Sequence, residues 1–388
     1  MRAAQKLYVN HGFSPIEGDI LNEEGEILIL GFGAKDILLE EDIYEKLKSE
    51  YPRAHIILAS TSGEIYQEQV FDETVSVMIM QFEKTRVVPV SIQINKENGS
   101  FEAGKNLFNT LYKEDLVHIL ILSDGGLVNG SELVNGLEAD NKTKIPITGG
   151  LAGDAANFQS TLVGYNSQPG IGNIVGIGFY GQHLRVGYGS YGGFETFGPE
   201  KKVTKSKSNH LFEIENKSAL DLYKQYLGVY AQDLPGSALL FPLNVRLEGE
   251  THTLVRTILS IDTEADSMTF AGDIPEGSYV RFMKSNFDTI IHGAGIAAGN
   301  SMNPNKTNQN PPKMALLISC VGRKLILGSR TEEENEAVKE IFGNNTLISG
   351  FYSYGEICPH DYFSKSELNN QTMTITTFDE DLEHIPVS

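Results

Sequence analysis

Residues 57–65 read I-L-A-S-T-S-G-E-I, and residues 348–357 read I-S-G-F-Y-S-Y-G-E-I. Each is a short apolar run that passes through small or aromatic residues into Gly-Glu-Ile. Each follows a Leu-Gly pair (Leu30-Gly31, Leu327-Gly328) and a stretch with helical spacing. Each precedes a strand-like run ending in Phe, Val75 to Phe82 in one case and Thr372 to Phe378 in the other. Short apolar runs bounded by glycine are the pattern of buried strands. The matched order predicts one structural unit used twice, over 26–82 and 314–378. A Gly-Glu turn at a strand end is then a shape the fold needs. The positions that differ, Ser60-Thr61-Ser62 against Tyr352-Ser353-Tyr354, are better candidates for a site.

Working outward, residues 26–31 form a strand, Ile43 and Leu47 lie on a helix ending at Pro52, and Ile56 to Ala59 form the next strand. A second β-α-β unit runs from Val117 to Leu122, through Ser123-Asp124-Gly125-Gly126 and a helix around Leu133 to Leu137, into Ile145 to Thr148. It closes on Gly149-Gly150-Leu151-Ala152-Gly153-Asp154. A third runs from Met314 to Cys320 and on to Ile348, its helix marked by the capping pair Thr331 and Glu334 and a stop at Gly343. Between them, Ile174 to Tyr180 and Leu184 to Tyr191 read as a hairpin about Gly181-Gln182, and Asn216 to Gly228 as a short amphipathic helix. The Lys- and Ser-rich stretch 199–210 marks a boundary, giving regions 1–200 and 201–388. The Asn/Pro-rich segment 301–313 reads as a mobile loop. The fold class that follows is α/β, with repeated β-α-β units forming two related mixed-sheet regions around a β-hairpin-rich middle.

The 388 residues carry 31 Lys and Arg against 51 Asp and Glu, a net charge of −20. Such a surface repels nucleic acid and anionic lipid, so neither is expected as a partner. No stretch has the length of apolar sequence needed for membrane insertion, and Met1 to His11 lacks the apolar core of a signal peptide. With only Cys320 and Cys358 there is no disulfide framework, and a cytoplasmic setting is expected.

Two glycine patterns, Gly176/Gly178/Gly181 and Gly187/Gly189/Gly192, match a dinucleotide fingerprint in spacing, yet strand rather than helix follows each. The phosphate-binding mechanism needs the helix, so the glycines belong to strands. Gly293, Gly295, Ala297 and Ala298 in 285–299 would let another element pack closely on a helix. The nine histidines show no zinc-type pairing. A single axial histidine suffices for haem, however, and His183, His360 and His292 are the candidates in that order. Ser319-Cys320-Val321-Gly322-Arg323 ends a strand, where ligands collect in α/β sheets. Arg323 there either holds a ligand acid group or forms a salt bridge, with Glu356 as the expected partner. Cys320 as nucleophile, or Glu64 and Glu356 as paired carboxylates, would make the protein a hydrolase.

In order and spacing these segments resemble the FIST family, the F-box and intracellular signal transduction sensory domains. Gly149-Gly150-Leu151-Ala152-Gly153-Asp154 is similar to the family's N-region segment. Val203-Thr204 and Ser218 to Gly228 are similar to the stretch joining its N and C regions, and Ser319 to Arg323, Gly350 to Ile357 and Asn370-Gln371-Thr372 to its C region. The chain resembles a free-standing bacterial-type member. The resemblance implies a sensory module rather than an enzyme, with small ligands such as amino acids. For some members it implies haem, nitric oxide sensing and control of a histidine kinase.

The resulting expectation is a cytoplasmic sensor that binds a small ligand and signals through a partner such as a histidine kinase. The ligand site is expected in the C region: Ser319, Cys320 and Arg323 at one strand end, Tyr352, Tyr354 and Glu356 at the next, and Asn370 and Thr372 beside them. Haem-based sensing, a hydrolase and a ligand-free adaptor are the alternatives.

Overall fold

The computed structural model describes residues 1–22, 25–94, 99–234, 236–302, 311–361 and 364–382. Most of the loop 301–313 therefore lies outside the described residues.

The repeat is present three times rather than twice. In each copy a central strand runs parallel to the strand after it in the sheet and antiparallel to a closing strand, which pairs with an outer strand. In the first unit these are Glu26–Gly33, His55–Ser60, Val75–Phe82 and Arg2–Val9. In the second they are Leu116–Ser123, Ile147–Leu151, Asn173–Tyr180 and Arg86–Gln93. In the third they are Met314–Cys320, Leu347–Ser353, Met373–Glu380 and Leu184–Tyr191. The strands Asn173–Tyr180 and Leu184–Tyr191 thus exist as expected but do not form a hairpin; they close one sheet and open the next.

Each unit also exports one strand. Glu64–Tyr66 of the first pairs with Leu347–Ser353 of the third. Val163–Tyr165 of the second pairs with His55–Ser60 of the first. Gly355–Pro359 of the third pairs with Ile147–Leu151 of the second. The exchange closes a ring, so no unit completes its sheet alone.

Strand periodicity of two explains how this ring is held. Leu28, Leu30 and Phe32, Leu120 and Leu122, and Met314, Leu316 and Ile318 all point into one shared core. Phe32 stacks on Phe351 across it at 4.7 Å. The alternate residues face outward under each unit's own helices: Ile29 with Leu38 and Leu47, Ile119 and Ile121 with Leu107 and Leu133, Ala315 and Leu317 with Val338 and Phe342.

Residues 195–284 interrupt the third unit between its outer strand and the helix Phe287–Ser301. They form the separate eight-stranded sheet with its own core around Leu211, Phe270 and Phe282. The hairpins of the middle region are here, for example Leu243–Arg246 with Thr253–Arg256. The stretch 199–210 lies largely within one 13-residue strand, Glu195–Lys207. Its exposed side chains, among them Glu200, Lys202, Lys205 and Lys207, are what the sequence presents as a polar linker. The predicted amphipathic helix forms as Ala219–Leu227, burying Leu220, Tyr223 and Leu227.

Close backbone approach explains several glycines. A Cβ on Gly189 would stand 2.4 Å from Ala297 O, so the small residues of Phe287–Ser301 pack on the glycine strand. At Gly149, φ is +144° and a Cβ would stand 1.9 Å from Ile121 O of the neighbouring strand. Gly149→Ala should therefore lower stability by about 1–3 kcal/mol, since neither backbone can give way cheaply. Urea unfolding checks this against Gly12→Ala, where a Cβ meets nothing within 4 Å and no loss is expected.

Candidate functional site

Three turns meet where the units exchange strands: residues 60–64, 151–155 and 352–356. Gly153 N–H donates to Ser60 O at 2.9 Å and Ala155 N–H to Thr61 O at 3.0 Å. Tyr354 N–H donates to Leu151 O at 3.2 Å, Ser62 N–H to Tyr352 O at 2.8 Å and Tyr352 N–H to Gly63 O at 2.9 Å. These bonds join each copy's turn to the turns of the other two.

The Gly-Glu pairs do the same job in copies one and three. Glu64 accepts from Thr61 through Oε1, and through Oε2 from the N–H of Thr74 at 3.2 Å and its hydroxyl at 2.9 Å. Glu356 accepts from Ser353 at 2.7 Å, and from the N–H and hydroxyl of Thr372 at 3.2 and 2.9 Å. Each carboxyl ties its turn to the start of its own closing strand. Both are buried, and burial raises Glu64 to about 7 and Glu356 to about 8. The two do not face each other across a substrate, so the paired-carboxylate reading gives way to a repeated structural tie.

The middle copy departs from this. Its Gly-Asp, Gly153-Asp154, stands where the others have Gly-Glu, but the closing strand is tied by Asp124, which accepts from Gly172 N–H at 2.9 Å. Asp154 is released for other contacts. Its Oδ2 accepts from the N–H groups of Gln159 at 3.1 Å and Ser160 at 3.0 Å and lies 3.8 Å from Lys35 Nζ. Its Oδ1 accepts from the Tyr354 hydroxyl. One carboxylate thereby joins side chains of all three units.

Most C-region residues expected to hold a ligand are packed into the scaffold instead. Arg323 is fully buried and pairs with Glu334, not Glu356. Its Nε donates to Glu334 at 2.9 Å, Nη1 to Gly192 O at 2.6 Å and Gln371 O at 3.4 Å, and Nη2 to Ile290 O at 2.8 Å and to Glu334 at 2.8 Å. A guanidinium has five N–H donors, and these acceptors engage all of them. Ser319 and Tyr352 donate to the same Glu334, at 2.9 and 2.7 Å. Glu334 therefore makes no capping box with Thr331, which has no side-chain cap bond. Cys320 and Cys358 are buried, and burial pushes both thiols far up, away from the thiolate a nucleophile needs. Asn370 is buried, with Nδ2 donating to Asn369 O at 3.0 Å, and Thr372 serves Glu356. Of the expected set Tyr354 alone lines one of the cavities described below.

The histidines lie apart from one another's roles. His183 Nδ1 is 2.8 Å from Asp381 O, His292 is exposed on the helix Phe287–Ser301, and the His360 ring sits 4.2 Å from that of His252. A haem needs an imidazole facing an apolar cleft. None of these three borders the cavities described next, so they do not build a haem pocket there.

Cavities open at the carboxyl ends of the parallel strands, each roofed by the next unit's turn. One of 720 Å³ lies over the first unit between Lys35, Thr61, Glu64 and the second unit's Asp154, with Tyr8 and Ile37 as apolar walls. One of 310 Å³ lies between Ser62 and the third unit's Val321 and Lys324. One of 360 Å³ lies between the second unit's Gly125 to Gly130, the third unit's Tyr354 and the inserted sheet. The large cleft is rich in carboxyl groups: Asp36, Glu41, Glu64, Asp72, Glu73 and Asp154 line it beside Lys35 and His11. Glu41 is held well down, to about 2, by hydrogen bonds from Tyr8 and His11. Lys35 Nζ donates to Ser160 Oγ at 2.5 Å and is about a quarter exposed. The arrangement can receive an ammonium group among the carboxylates and an acid group at Lys35. Sequence reasoning passed over Lys35. The available signal was its place directly after the strand and Gly33-Ala34, combined with the Asp that replaces Glu in the middle turn.

The family profile described as the FIST N domain matches residues 27–217, and that described as the FIST C domain matches residues 219–359. Comparison with curated proteins yields no match. Among the described residues, no helix is long and apolar enough to cross a membrane.

Proposed function

The chain belongs to the FIST family of signal-transduction sensory domains, and from that premise we propose that the 720 Å³ cleft over its first unit is the sensory pocket. Its ligand is a small metabolite carrying an ammonium group, an amino acid being the simplest example. The observation that carries this reading is the cleft's position and lining. It stands at the carboxyl ends of two parallel strands, where open α/β sheets bind ligands. It brings Lys35 and Asp154, from different units, within 3.8 Å of each other. A ligand acid group would compete with Asp154 for Lys35, and its ammonium would replace Lys35 at Asp154.

Occupancy would be passed to a partner protein. A histidine kinase is the partner class that the family resemblance implies. Because Asp154 also binds Tyr354 of the third unit, a change in the Lys35 contact reaches the ring of turns directly. A cytoplasmic setting is part of this proposal and is supported by two free buried cysteines. Haem sensing and hydrolysis gain no support from the positions of the histidines, the cysteines or the two buried glutamates.

Thermal-shift screening of the amino acids and simple amines, followed by calorimetry on the best of them, tests the reading. Lys35→Ala should weaken an amino acid roughly tenfold or more, as expected for loss of a partly exposed charge contact, while leaving the fold intact. Unchanged affinity in Lys35→Ala, or no shift with any of these compounds, would reject it.

A further inference from the structure

The 360 Å³ cavity between the second unit and the inserted sheet is built differently from the acidic cleft. Its floor is an aromatic pair. Phe158 stacks on Tyr354 with ring centres 4.7 Å apart and planes inclined by 18°. Phe158 has φ of +53°, a left-handed conformation that a bulky side chain rarely adopts. It is held there by its N–H, which donates to the Tyr354 hydroxyl at 3.0 Å, and that hydroxyl in turn donates to Asp154. The strain presents an aromatic ring that remains 50% exposed. Strained backbone that displays rather than buries a large apolar side chain is a feature of binding sites. Leu127 and Leu259, 64% and 44% exposed, line the same cavity from the second unit and the inserted sheet. The polar part of the lining includes one carboxylate, Asp273, whose Oδ1 accepts from Asn129 Nδ2 at 3.3 Å.

We propose that this cavity is a second ligand site, for a planar aromatic molecule of one or two fused rings that carries an N–H donor. The ring stacks on Phe158, the leucines close on its edges, and the donor reaches the Asp273 carboxylate. Stacking on an exposed aromatic platform tolerates many ring types, so Phe158 sets the class of ligand and the polar groups set its orientation. The site is independent of the acidic cleft in its lining, and it also joins two bodies of the fold, the ring of units and the inserted sheet. A ligand there would bridge them.

The chain contains no tryptophan, so the emission of tryptamine reports its own binding to the full-length protein. Tryptamine anisotropy should rise on addition of protein, and 2-cyclohexylethylamine, which keeps the amine but lacks the planar ring, should fail to displace it. Phe158→Ala should weaken tryptamine roughly 5- to 100-fold, the range that aromatic stacking carries, and Phe158→Tyr should restore it. Asp36→Asn, which alters the acidic cleft without touching the Asp154–Tyr354 link, should leave it unchanged, which separates this site from the acidic cleft. Phe158 is exposed, so both variants are expected to fold, and the melting temperature checks that. Equal binding by Phe158→Ala, equal competition by the cyclohexyl amine, loss in Asp36→Asn, or no binding of tryptamine at all would each overturn the proposal.

Discussion

Arg323→Ala is expected to destabilise the protein by about 3–5 kcal/mol, the usual cost of removing one partner from a buried ion pair. That is a large part of the roughly 5–15 kcal/mol that holds a domain folded. The reason lies in what the deletion strands. Glu334 would keep its hydrogen bonds from Ser319 and Tyr352 but lose the cation it pairs with, at a fully buried position. The carbonyls of Gly192 and Ile290 would lose their donors as well, and these bonds anchor the third unit's outer strand and its long helix. Glu334→Ala should do comparable damage. Replacing both, as Arg323→Met with Glu334→Leu, should cost less than either alone, because no uncompensated charge remains. Urea unfolding of the four proteins gives the coupling directly. An Arg323→Ala variant with unchanged stability would show that the guanidinium is not the clamp described here.

Exchanging both buried turn glutamates for glutamine should flatten the pH dependence of stability by an amount on the order of 8 kcal/mol in total. Burial raises Glu64 to about 7 and Glu356 to about 8, against about 4.3 for an ordinary glutamate. Below about pH 4.3 both states of the chain hold these protons, and the contribution is fully present. As pH rises, the unfolded chain releases them while the folded chain keeps them. Stability is therefore lost progressively until the pH passes the folded values near 7 and 8. His118 acts in the opposite sense: burial lowers it to about 3, so its contribution is lost as pH falls from about 6.5 toward that value. Subtracting the Glu64→Gln/Glu356→Gln profile from the wild-type profile removes the histidine. Glutamine keeps an acceptor for Thr74 and Thr372 and offers a donor to Thr61 and Ser353. The difference between the two unfolding curves should thus grow from acid to pH 8 in favour of the variant. A difference that is constant with pH would mean that neither carboxyl titrates in that window.

The parts of the fold that were legible are those written locally. Apolar runs at 26–31, 117–122 and 314–320 are strands because three sheets bury both their faces, and Gly-Glu recurs because a turn carboxyl must tie the closing strand. The equivalence of the middle copy was hidden by one substitution, Asp154 for Glu, and by the longer connection from it to Val163. The Leu-Gly pairs used to align the copies are not equivalent: Leu30-Gly31 is within a strand, whereas Leu327-Gly328 ends the helix Val321–Leu327. Strand export was illegible because periodicity reports which faces are buried, not which neighbour buries them. The same gap misplaced the site. Arg323 follows a strand end, as a ligand contact would, but Glu334 sits one helix later and claims it. Lys35 has no pattern of its own, and its importance arises only when the second unit's turn brings Asp154 to it.

The claim that the ligand occupies the cleft over the first unit is tested most directly by amide hydrogen exchange. The full-length protein would be measured with and without the amino acid that gives the largest thermal shift. Protection should rise in 34–41, 61–64 and 154–157, the segments that line the cleft, with smaller changes along the ring of turns. Protection confined to 319–323 and 352–356, with the first unit unchanged, would contradict it and return the site to the C region.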